Sequence, residues 1–121
     1  MHFENNLAKR LFWFSVRVIK FLRLLPESSE YGVIKYQLTK SSTSSGANYK
    51  EAQSGFSKSD FHYKVSISLK EMSESNYWLS ILSEVIDFKI DSEELLFLIN
   101  ESRELEKILG SIVMKTKKKI K

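Results

Sequence analysis

Apolar residues recur along this chain in alternating steps of three and four. Phe3, Leu7, Leu11, Phe14, Val18, Phe21 and Leu25 place one apolar stripe on a helix over residues 4–25. Pro26 ends it, because the residue before a proline avoids helical backbone. Ser29 is the expected cap of the next helix. Phe61, Val65, Ser68, Met72, Ser75, Leu79, Leu82 and Ile86 form a heptad seam over residues 59–88, with two small polar layers. Ser57 opens the string S-K-S-D, close to a capping box, with Asp60 near the positive helix start. A last helix follows Asp91, with Glu94 three residues on; its seam is Leu95, Leu98, Ser102, Leu105, Leu109 and Ile112.

The stretch "LTKSSTSSGANYKEA" (38–52) has the composition of a flexible linker, which would split the chain into two domains. Its phase argues otherwise. Tyr31, Ile34, Leu38, Ser41 or Ser42, Ser45, Tyr49 and Ala52 share one helical face. Folding the first two helices about Pro26–Ser29 sets Leu11 and Phe14 against the Lys40–Thr43 region. Folding the middle pair about Gly55–Phe56 sets Met72 near Ser41 and Ser68 near Ser45. Bulky residues then meet small ones, which is how a bundle core fills without voids. The pattern therefore predicts an all-α protein, an antiparallel up-down-up-down four-helix bundle over residues 1–114, followed by a basic tail, 115–121.

Two strings exceed what a lone bundle can bury. "LFWF" (11–14) and "LLFLI" (95–99) are apolar on all sides of their helices. Phe12, Trp13, Leu96 and Phe97 are thus the expected oligomer interface, self-association being the simplest way to cover them.

Composition narrows the class. One Pro and four Gly are too few for a turn-rich sheet protein, and no Cys excludes disulfides and thiolate chemistry. A cytoplasmic location is expected. Residues 11–25 are interrupted by Arg17, Lys20 and Arg23 and lack a small-residue cleavage site, so neither a membrane span nor a leader is expected.

The formal charge of +4 is unevenly spread: "KTKKKIK" (115–121) holds five lysines and the rest of the chain sums to −1. Arg10, Trp13, Arg17 and Lys20 form one ridge of the first helix, with Lys9 and Arg23 alongside. Cations around an aromatic can neutralise phosphates and stack on bases, so this ridge, with Lys115, Lys117, Lys118 and Lys119, is the candidate site for RNA or DNA. The competing reading is a solvated face with Trp13 packed on a neighbouring subunit or another protein. A membrane role is set aside, because the apolar face opposite the ridge is needed for the core.

Catalytic chemistry is not expected. His62 has Ser59 three residues before it, and Glu71 and Glu74 lack a histidine, so no metal site is assembled. No nucleophile–base pair or phosphate loop stands out, and no cofactor is expected. Asn48, Glu51, Glu71 and Glu74 lie on or beside the seams. They read either as a polar layer fixing register or as a buried network or ligand site. Glu51 and Lys64 should meet as a partly exposed bridge.

Three strings, "SGANYKEA" (45–52), "SKSDFHYK" (57–64) and "LKEMSESNYWL" (69–79), resemble in order and spacing the four-helix-bundle family encoded in intervening sequences of 23S rRNA genes. The matched residues include Asn48, Tyr49, Glu51, Phe61, Lys64, Glu71, Glu74 and Trp78. The resemblance implies an up-down-up-down bundle assembled as a ring-shaped homopentamer without established activity. It extends to the accessory variability protein of diversity-generating retroelements, which binds nucleic acid and a reverse transcriptase. The Ser/Thr-rich 41–45 segment departs from the Ala and Val of many members.

Overall fold

Four helices account for nearly all of the chain in a computed structural model that describes residues 2–87 and 89–120. Met1 and Lys121, the last residue of the basic tail, lie outside the described residues, as do the side chains of residues 2–5, Phe3 of the apolar stripe among them, and of residue 120. The elements are α1 (His2–Leu22), α2 (Ser29–Gln53), α3 (Lys58–Val85) and α4 (Ser92–Ile120). There is no strand among the described residues. Neighbouring helices pair α1–α2, α2–α3, α3–α4 and α1–α4. Each helix therefore buries a stripe facing two neighbours, as the 3–4 spacing requires.

The stripes meet in one core. Leu7, Leu11, Phe14, Val18 and Phe21 of α1 join Ile34, Leu38 and Tyr49 of α2. Val65, Met72, Leu79 and Leu82 of α3 and Leu95, Leu98, Leu105 and Leu109 of α4 complete it. The serine-rich stretch is helical throughout, and Ser41, Ser42 and Ser45 are as buried as the leucines.

Between α2 and α3 the hydroxyls replace apolar knobs. Ser45 Oγ donates to the Ser68 carbonyl at 2.9 Å, and Ser68 Oγ donates back to the Ser45 carbonyl at 2.7 Å. Ser41 and Ser75 share a hydrogen bond of 2.8 Å one layer away. Asn76 Nδ2 donates to Ser102 Oγ at 2.9 Å, extending the polar layer to α4. Serine satisfies itself on helix carbonyls and occupies little space, so two helices can approach closely without stranding a polar atom. No buried side-chain nitrogen or oxygen among the described residues lacks a partner.

The helix ends correct the sequence reading in three places. α1 stops at Leu22, not Leu25. Leu24 N and Leu25 N bond to the carbonyls of Phe21 and Leu22 at 2.9 and 3.1 Å, a tightened i to i−3 turn that still buries Leu25. The cap of α2 is Ser28, whose Oγ accepts from Tyr31 N at 3.2 Å; Ser29 is already helical. The longer turn shifts the α1–α2 register, so Leu11 faces Gly46 rather than the Lys40–Thr43 region. The middle pair keeps its register: Ser68 meets Ser45 as expected, and Ser41 bonds to Ser75, one turn on from Met72. α3 ends at Val85, three residues short of the expected 88, and its cap Ser57 accepts from Asp60 N at 3.0 Å. Asp91 Oδ1 accepts from Glu94 N at 3.1 Å at the start of α4.

Gly46 is close to α1 but not jammed against it. A Cβ there would stand 3.6–3.8 Å from Leu11 atoms, an ordinary contact. Gly46→Ala is therefore expected to stabilise the protein by up to about 1 kcal/mol through helix propensity. Gly46→Pro removes a backbone donor inside α2 and should destabilise by about 3 kcal/mol or more. Chemical denaturation of the pair checks both signs.

Candidate functional site

α1 turns a mixed aromatic and cationic surface outward beside α4. Heptad phase buries Leu11 and Phe14, which forces Phe12 and Trp13 between them to the outside; these are 58% and 57% exposed. On α4 the same logic buries Leu95, Leu98 and Ile99 and leaves Leu96 at 59% and Phe97 at 40%. Phe12 and Trp13 meet edge to face, with ring centres 5.1 Å apart. A shallow notch joins Lys9, Arg10, Trp13 and Arg17 of α1 to Phe97 and Glu101 of α4.

The two arginines of the ridge are engaged inside the chain. Arg10 grips Glu101 with Nε at 3.1 Å and Nη2 at 2.8 Å. Arg17 grips Glu94 with Nε at 2.9 Å and Nη2 at 2.6 Å. Its guanidinium also lies 3.6 Å from the centre of the Phe97 ring. Both guanidiniums are held above their ordinary pKa, chiefly by these hydrogen bonds. A bidentate fork fixes geometry as well as charge, so the ladder clamps α1 to α4. Lys9 and Lys20 stand exposed on the same helix.

The lysines of the C-terminal segment continue α4 to Ile120 as helix. Lys115, Lys117, Lys118 and Lys119 are exposed, in the last turns where cations suit the negative helix end. His62 Nδ1 lies 2.7 Å from Thr116 Oγ1, tying this part of α4 to α3.

The polar residues on the seams do not converge on a ligand site. Asn48 Nδ2 donates to the Ser44 carbonyl at 2.9 Å within its own helix. Glu74 Oε2 accepts from Trp78 Nε1 at 3.0 Å, again within one helix. Glu51 pairs with Lys64 at 2.8 Å, in the open, as expected; this hydrogen bond raises the Lys64 pKa. The Glu71 carbonyl accepts from Ser75 Oγ at 3.0 Å. Tyr49 is wholly buried and Phe61 packs against the core. The buried hydrogen-bond network is instead made of serines. Among the described residues no three His, Asp or Glu side chains gather to hold a metal ion. No helix among them is long and apolar enough to cross a membrane.

Four helices around a hydroxyl-lined seam, with aromatic side chains exposed on α1 and α4, define an all-α helical protein. A model of the 23S rRNA-intervening sequence protein family matches residues 4–111, and the chain belongs to that family. A crystal structure of a protein with unknown function from the S23 ribosomal protein family, from Bacteroides thetaiotaomicron VPI-5482, is similar in fold. It is 34% identical, with a TM-score of 0.77, and the match covers 88% of this chain and 97% of that one. No curated protein matches the chain.

Proposed function

We propose that the protein is a non-catalytic scaffold that works by self-association, with the outer face of α1 and the adjoining part of α4 as the subunit contact. The helices alternate up and down in this reading. Arg10–Glu101 and Arg17–Glu94, like Ser41–Ser75 and Ser45–Ser68, pair rising numbers on one helix with falling numbers on the next. The observation that carries the proposal is the exposed apolar surface of α1 and α4. Phe12 and Trp13 stand out from α1, Trp13 shares a notch with Phe97 of α4, and Leu96 is exposed on the α3 side of α4. On the α2 side Phe12 also borders an apolar groove of about 380 Å³, floored by Val16, Ile19, Gly46 and Ala47. Exposed apolar patches that join across two helices mark association surfaces. A knob side and a groove side on the same subunit suit a head-to-tail contact, which closes into a ring when the rotation allows. The ring-shaped homopentamer implied by the family resemblance has this form.

Light scattering tests it. The expected mass is a multiple of the 14.1 kDa chain, five for the pentamer. Trp13→Glu combined with Phe97→Glu should bring it down to a single chain with helicity intact. A wild type that runs as one chain at all concentrations overturns the proposal.

A second reading, association with nucleic acid, is favoured by the exposed lysines at the end of α4. With Arg10 and Arg17 committed to glutamates, phosphate binding falls to Lys115, Lys117, Lys118 and Lys119 at one end of the bundle; Lys20 lies towards the other end. Such contacts are indifferent to sequence and weaken steeply with salt.

A further inference from the structure

The turn between α2 and α3 projects one aromatic side chain into open space. Phe56 is wholly exposed, more so than any other large apolar residue among the described ones. It does not hang on a loose loop. Gly55 before it is confined: a Cβ there would meet Asp60 Oδ2 at 2.6 Å and the Ala52 carbonyl at 3.2 Å. Gly55 N bonds to the Ala52 carbonyl at 3.1 Å, and Ser57 after it caps α3 through its hydroxyl. Phe56 is thus presented by a turn fixed on both sides.

Beside Phe56 lies a groove of about 560 Å³ between this turn and the end of α4. Phe61 and Ile112 supply apolar lining, and Lys58, Lys115 and Lys119 stand around it. No carboxylate is among the lining residues; Asp60 points its oxygen at Gly55 instead. Thr116 on the wall is held by His62, which steadies this part of α4. The groove is of the size that takes a small ligand or one unit of a polymer. Three cations without a counter-charge call for an anion. An aromatic face free on both sides calls for a flat ring. A polymer that carries both in alternation, with its bases unpaired, satisfies the two demands together.

We propose that this groove binds single-stranded nucleic acid, with Phe56 stacking on a base and Lys58, Lys115 and Lys119 neutralising the flanking phosphates. The proposal rests on the nucleic-acid reading and adds to it a strand preference and a stacking residue. Duplex bases are stacked on one another and cannot reach Phe56, so the groove discriminates against them.

The test uses the full chain and fluorescence anisotropy of a labelled oligodeoxythymidylate, a matching duplex and anionic phospholipid vesicles as competitor. Wild type should bind the single strand more tightly than the duplex. Phe56→Ala should weaken single-strand binding about tenfold, the size of one lost stacking contact, and leave the salt slope unchanged. Lys115→Glu with Lys119→Glu should weaken binding and flatten the salt slope. Phe56 touches no core residue, so unchanged circular dichroism of Phe56→Ala will separate binding from folding. If Phe56→Ala binds like wild type, or duplex binds as well as single strand, while the lysine variant still loses affinity, the groove is refuted and the phosphate reading stands. If wild type binds neither oligonucleotide, or binds the vesicles alone, both fall.

Discussion

Phe14→Ala is expected to destabilise the protein by about 3–5 kcal/mol, the usual cost of emptying a buried aromatic site. Phe14 is 1% exposed and sits among Leu7, Leu11, Val18 and the facing helices. The loss combines the transfer of a phenyl ring with the void left behind, since close-packed neighbours relax only partly. Against a total stability of typically 5–15 kcal/mol this is a large share. The neighbouring Phe12→Ala in the same string should cost far less in unfolding at low protein concentration, because Phe12 is mostly in water. Urea titration followed by circular dichroism reads both. Equal costs for the two residues would mean that the phase of α1 is wrong.

Ser45→Leu is the second large effect, expected at about 2–4 kcal/mol. The hydroxyl of Ser45 is wedged against Ser68, with reciprocal bonds to the two backbones. Leucine adds two heavy atoms net where neither helix can give way, and overpacking of this kind costs about 1–3 kcal/mol. Removing the Ser45 donor adds about 1 kcal/mol. Ser45→Ala isolates that second part: the Ser68 hydroxyl keeps its bond to the Ser45 carbonyl, so only the smaller cost remains. A midpoint of thermal unfolding that falls much further for Leu than for Ala identifies size, more than polarity, as what the seam selects. The reverse order would place the value of the serines in their hydrogen bonds.

The helices were legible because each carries an apolar seam of its own, and even the serine-rich α2 keeps phase from Ile34 to Ala52. Local chemistry was equally readable at Ser57 and Asp91, where a side chain acts on a backbone three residues away. What failed was count-based register between α1 and α2. Residues Arg23–Leu25 look helical by periodicity, yet the turn before Pro26 tightens and displaces α1 relative to α2. The site was less legible still. The ridge of Arg10 and Arg17 reads as free charge until Glu94 and Glu101 arrive from 77 and 91 residues away. A signal did exist: two arginines seven apart and two glutamates seven apart, on helices that neighbour each other in a ring of four, can meet as a ladder. Phe56 gave no pattern at all, since a single aromatic in a turn has no period; only its exposure and its lysine neighbours reveal it.

The arginine ladder has an electrical consequence. With Arg10, Arg17 and Lys64 neutralised by partners, the body of the protein carries little unbalanced positive charge. Residues 1–114 sum to −1 and residues 115–121 to +5. The molecule is therefore a macroscopic dipole with its positive pole at the tip of α4. A polyanion approaching by diffusion feels torque before it feels contact, and meets this protein end-on.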